Sequence, residues 1–213
     1  MLANKMRFDN LFNIEYFDTF LKIYGLSTTN TYQELPYKLA AYQRKLKKLR
    51  LNSLFTFSSG ETYVERIEID CNNYYHAAWN IGAAKNITQK YKLPVKYLAL
   101  GKIIKSVDQS CINKNRLDFS LTNNNPILIA DYPPAANRPD YIIIDGNHRV
   151  TSKFRAGQKE IKGILMSPEN HMQAMLGEFH RVLYKIHFNM YLIASYTGGK
   201  LIISDLEKQL YEI

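Results

Sequence analysis

The chain has 213 residues, of which 46% are hydrophobic and 22% charged, enough for one large globular domain or two small ones, and its net charge of +9 favours polyanionic partners. No apolar run reaches the roughly 18–20 residues that span a bilayer, and Met1 to Arg7 has neither an apolar core nor a cleavage site, so the sequence predicts a soluble, unprocessed, cytoplasmic protein with no membrane partner. Cys71 and Cys111 lie far apart and the five histidines are scattered, which excludes a disulfide framework and a preformed transition-metal site.

Phe8 to Tyr24 carries a broad apolar face and stops at Gly25, which predicts a first helix. After the polar break Ser27-Thr28-Thr29-Asn30, Leu39, Tyr42, Leu46 and Leu49 recur at three- and four-residue intervals and predict a second. Its other face gathers Arg44, Lys45, Lys47, Lys48 and Arg50, a candidate nucleic-acid-binding stripe or a solvated helix surface. Leu54 to Phe57 and Tyr63 to Ile69 alternate as strands do across Ser58-Ser59-Gly60-Glu61, the pattern of a β-hairpin. From Asn72 to Lys90, the stripe Tyr74, Tyr75, Ala78, Trp79 and Ala83 predicts a helix, and Pro94 marks a boundary.

Val95 to Leu100, Pro126 to Tyr132 and Asp140 to Asp145 are β-rich runs, the last two joined as a hairpin by the long loop Pro133 to Pro139. The continuous Ile142-Ile143-Ile144 implies a strand buried on both faces. It stops at Asp145-Gly146-Asn147-His148-Arg149, after which Val150 to Ala156 has helical spacing and ends at Gly157. Where a strand feeds a helix in this way, the first helical amides lack intrahelical partners and the dipole favours an anion. Gly146 permits close backbone approach and Arg149 offers a bidentate fork to phosphate, or is a buried structural cation. His148 is a candidate phosphate donor or general acid–base. Asp145 stands to hold a nucleotide-bound metal, to accept a substrate proton, or to cap the helix.

Beyond Ile161 to Met166, a further strand, Ser167 before Pro168 reads as a helix N-cap and Phe179 to Tyr196 as a long helix ending at Gly198-Gly199. Leu201 to Ile203 reads as a short extended run before a capped final helix, Ser204 to Leu210. His180 and His187 share a face of the long helix, where packed or solvent-facing roles are the ordinary ones.

Ile143 to Ser152, with Ala156-Gly157 and the following Ile161 to Met166, resembles the signature turn of the ParB/sulfiredoxin superfamily: apolar strand, Asp-Gly-x-x-Arg turn, helix with small residues, glycine, strand. Tyr97 to Leu100 resembles that domain's opening strand and Asn125 to Ile129 its proline-initiated strand, so the likeness covers about a third of the chain. It implies an α+β fold: a small mixed-sheet ParB/sulfiredoxin-like domain over 95–168, preceded by helices and a hairpin in 1–94 and followed by a helical extension over 169–213 packed on it. It also implies a turn that binds nucleotide phosphates through Gly146, Asn147, His148, Arg149, Thr151 and Ser152, with Asp145 and His148 as catalytic candidates, Asp145 as the carboxylate for magnesium, and a nucleoside triphosphate with Mg²⁺ as ligand. Two departures narrow the activity. Asn147-His148-Arg149 stands where partition proteins carry Glu-Arg-Arg, and Asn147 occupies the neighbourhood of the sulfiredoxin cysteine. The resemblance therefore implies a nucleotide-binding protein with phosphotransferase or nucleotide-hydrolase chemistry, for which Asp108, Asp118, Asp131 and Glu169 are candidate second carboxylates. The alternative is a DNA-binding accessory protein of plasmid or phage partition type with nuclease activity.

Overall fold

In the computed structural model, which describes residues 14–52, 60–69, 74–107, 109, 112–134 and 141–213, the described residues form an α+β fold with a two-stranded and a four-stranded sheet. By its contacts the chain divides into two compact units. The first is drawn from the described residues within 1–57, 65–77 and 176–213, the second from those within 58–64 and 78–175. The sequence divides at 94 and 168 instead. The difference arises because α3 (Ile81–Lys90) packs against α7 (Pro168–Ala174), which draws the stretch before Pro94 and the helix after Met166 into the unit of the four-stranded sheet.

The first unit is helical. Its helices are α1 (Ile14–Ile23), α2 (Leu35–Asn52), α8 (Gly177–Thr197) and α9 (Ile203–Gln209), with α1, α2 and α9 all packing on α8. Leu39, Tyr42, Leu46 and Leu49 are buried, as their spacing requires, and so are Phe17 and Phe20 of α1. The last carbonyls of α8 are satisfied from the break after α1: Thr29 and Asn30 N–H both donate to Thr197 O, and the Asn30 side chain donates to Tyr196 O. His180 donates from Nδ1 to His76 O, and His187 Nδ1 lies 2.9 Å from the Tyr75 hydroxyl, so both histidines are packed inward. The C-terminal reading changes in detail: Ile203 already belongs to α9, which has no side-chain cap.

The strands β1 (Thr62–Glu68) and β2 (Tyr74–Asn80) form the two-stranded sheet. The expected partner of β1, Leu54 to Phe57, lies outside the described residues. β2 corrects the helix expected from Asn72: only Ile81–Lys90 is helical, and Tyr74–Asn80 is extended. Tyr75, Ala77 and Trp79 are all fully buried at period two, the β-forming aromatics favour a pleated surface, and the Asn80 side chain accepts from Ala83 N–H to start α3 at Ile81, about two turns later than the apolar stripe suggests.

The second unit is built on a mixed sheet in the order β3 (Lys96–Ala99), β6 (Glu160–Met166), β4 (Ile127–Asp131), β5 (Tyr141–Asp145). The β3–β6 and β4–β5 pairs are antiparallel and β4–β6 is parallel. The hairpin of β4 and β5 is thus as expected, though 135–140 of its connection lie outside the described residues. Ile142, Ile143 and Ile144 are all buried, although β5 is the last strand of the sheet. Ile127, Ile129, Ile143 and Val150 meet Leu100 and Ile103 of α4 (Leu100–Ile103) in one core. Between β3 and β4 runs the short helix α5 (Leu117–Thr122), which packs on α6 (Asn147–Arg155). Among the described residues, no helix is long and apolar enough to cross a membrane.

Candidate functional site

Strand β5 ends and α6 begins within two residues, a change of direction that requires a backbone most residues avoid. Gly146 takes it with φ of +108°, and a Cβ at that position would overlap the Ile127 side chain and sit 3.0 Å from Arg149 Nη2. Gly146→Ala is therefore expected to cost about 2–3 kcal/mol in a denaturant titration, from backbone strain and overpacking together. A loss below about 0.5 kcal/mol would mean that the turn is not held this tightly.

Arg149 is the buried centre of the turn. With its side chain 8% exposed, Nη1 donates to Asn125 O at 2.7 Å and Pro126 O at 3.1 Å, while Nη2 pairs with Asp145 Oδ1 at 3.1 Å. The fork expected for phosphate is thus engaged by the start of β4 and by the turn itself. Asp145 Oδ2 pairs with Lys85 Nζ at 3.3 Å, and that lysine is 52% exposed. Asp145 does not cap α6: the N-cap is Gly146, no side chain caps the helix, and its first internal bond is Val150 N–H to Gly146 O. The amides of Asn147, His148 and Arg149 precede that bond.

His148 Nε2 accepts the Asn113 N–H at 3.1 Å. A backbone amide only donates, so the ring is neutral with its proton on Nδ1. Burial, reinforced by the charge of Arg116, holds His148 below its ordinary pKa, in keeping with that state. Asn147 donates from its side chain to Ile143 O, and the Thr151 and Ser152 hydroxyls bond back to Asn147 O and Arg149 O within α6.

A cavity of about 580 Å³ opens on this turn. Asp145, Gly146, His148 and Arg149 line it; Asn147, Thr151 and Ser152 do not, their side chains being turned into the strand end and the helix. Helix α3 adds Lys85, Thr88 and Gln89. The segment before β4 adds Arg116, Phe119, Ser120, Asn123, Asn125 and Pro126. Leu128 and Ile164 supply apolar wall from the sheet, and Glu61 is the second carboxylate on it. Of the carboxylates expected there, Asp118, Asp131 and Glu169 are not on the wall, and Asp108 lies outside the described residues. Glu61, Lys85, Arg116 and Phe119 escape sequence reading because each sits in a locally ordinary context, a turn or a helix surface, and only the tertiary fold joins them.

A magnesium ion would find both Asp145 oxygens already paired with cations. Among the described residues, no three His, Cys, Asp or Glu side chains gather into a metal-holding group. The donor set does not fit a protein-held Mg²⁺, which is bound through carboxylates and water. In the first unit, the basic stripe of α2 presents exposed Arg44, Lys47 and Lys48, whereas Lys45 Nζ pairs with Glu178 at 3.1 Å; the Arg50 side chain lies outside the described residues. The chain matches no family model, no curated protein and no solved structure.

Proposed function

We propose that the cavity at the 145–149 turn binds the phosphate groups of a nucleotide, in the manner of the ParB/sulfiredoxin superfamily that the turn resembles. The observation that carries this reading is the wall itself: an uncapped helix N-terminus and two cations, half-exposed Lys85 and exposed Arg116, converge on a cavity of about 580 Å³. That volume falls within the range of small-molecule sites. The ligand's charge is met by Lys85, Arg116 and the first amides of α6, while Arg149 holds the turn in shape. Because Asp145 is already neutralised by its two partners, any magnesium enters on the nucleotide and is not held by the chain. Phosphotransfer or hydrolysis would draw on Asp145 and Glu61, the two carboxylates on the wall.

Calorimetric titration with ATP, CTP, GTP and ADP, with magnesium and with chelator, tests this. Saturable binding is expected in both conditions. Lys85→Ala and Arg116→Ala are each expected to weaken it about tenfold, the worth of a charge-assisted hydrogen bond. The absence of binding to all four nucleotides would overturn the reading.

A further inference from the structure

We infer that the cavity recognises the base as well as the phosphates, with the ring of Phe119 as the stacking platform; this rests on the nucleotide reading above. Phe119, on α5, is 77% exposed, more than any other described aromatic of the second unit, where Tyr97 is 66% exposed, Tyr91 and Phe154 are 44% exposed, and Trp79 and Tyr132 are fully buried. Phe119 lines the cavity three residues after Arg116, so one short stretch supplies both a cation for phosphate and an aromatic residue.

The platform is held in place from below. Lys153, buried on α6, donates from Nζ to Leu121 O at 3.2 Å and to Asn124 Oδ1 at 2.8 Å, which ties the end of α5 to the helix whose N-terminus carries the phosphate-binding turn. A buried ammonium gives up its hydration, so it is used here to fix α5, not to meet a ligand. The loop that follows, Asn123-Asn124-Asn125, contributes two asparagines, Asn123 and Asn125, to the same wall. The Asn123 Oδ1 accepts from Asn125 N–H, which orders the loop, and an amide offers the donor and acceptor that a base edge requires. Apolar Leu128 and Ile164 complete a wall suited to a flat ring and not to a bare polyphosphate.

The test uses the full chain and two ligands, ATP and inorganic tripolyphosphate, titrated into the parent, Phe119→Ala and Phe119→Trp. ATP is expected to bind the parent more tightly than tripolyphosphate. Phe119→Ala is expected to weaken ATP about 5- to 100-fold, the range of one base–aromatic stack, and to leave tripolyphosphate unchanged. Phe119→Trp is expected to restore ATP affinity, and the fluorescence of the new indole to be quenched by ATP but not by tripolyphosphate. Equal affinity of the parent for both ligands, or an ATP preference that survives Phe119→Ala, would overturn the stacking inference while leaving the phosphate site standing. Failure of both ligands to bind the parent would overturn the nucleotide reading, and this inference with it.

Discussion

Replacing Arg149 with alanine is expected to lower the unfolding free energy of the second unit by about 3–5 kcal/mol, the cost of removing one partner from a buried ion pair. Three acceptors depend on this side chain: Asn125 O, Pro126 O and Asp145 Oδ1. Without it, two carbonyls are left inside the wall and Asp145 keeps only half-exposed Lys85 as its counter-ion. Arg149→Lys is expected to recover part of the loss, because one ammonium carries the charge but cannot reach the same three acceptors. Urea titration followed by circular dichroism measures both, and a loss for Arg149→Ala under about 1 kcal/mol would contradict the buried network. A consequence for binding work is that nucleotide affinity lost in Arg149→Ala does not identify a phosphate contact. Lys85 and Arg116, being exposed, are the positions where such a contact can be read.

Acidification is expected to destabilise both units, and to begin doing so well above the carboxylate range. His171 of α7 donates from Nε2 to Asp131 O at 2.8 Å and stacks on Tyr132; burial pushes its pKa down to about 4. His187 of α8 is enclosed, its Nε2 without a partner among the described residues, and burial pushes it down to about 3. In the unfolded chain each binds a proton below about pH 6.5. Between that value and its folded pKa, the unfolded state therefore holds more protons than the folded one, and stability falls as pH falls. The slope approaches about 1.4 kcal/mol per pH unit for each histidine, so by pH 4.5 the loss is on the order of 2–3 kcal/mol per unit of structure. Melting temperatures at pH 7, 6, 5 and 4.5 should decline progressively, and His187→Phe should flatten the decline in the helical unit. A melting temperature constant from pH 7 to 5 would show that neither ring is shielded as described.

The segment from Ile142 to Met166 was readable because its signals are local: an unbroken apolar run, a glycine where φ must be positive, a helix ended by Gly157, then a short apolar strand. The long helices α2 and α8 were readable from their apolar period for the same reason. Tyr74 to Asn80 was not, because its apolar residues satisfy two periods at once. Tyr75 and Trp79 are four apart, as on a helix, and with Ala77 they are also two apart, as on a strand. Pairing with β1 and the bridge from Trp79 to Met175 decide between them, and neither is written in the segment. The candidate site divides along the same line. Asp145, Gly146, His148 and Arg149 lie in one turn and were legible together, whereas Glu61, Lys85 and the Arg116–Phe119 stretch reach the cavity from three separate parts of the second unit. The use of Arg149 as an internal tie could not be chosen over phosphate contact, since that choice is made by two carbonyls more than twenty residues away in sequence.

The division of the chain into interleaved units also bears on how it is made. Nearly all of the second unit lies in one stretch, 78–175, and can close on itself as soon as that stretch has left the ribosome. The helical unit cannot, because α1 and α2 pack against α8, which follows the whole of that stretch in the chain. Phe17, Phe20, Leu39 and Tyr42 therefore emerge early and remain uncovered while the mixed sheet is being translated and folded. During synthesis it is this pair of early helices, and not the turn at 145–149, that needs shelter from aggregation.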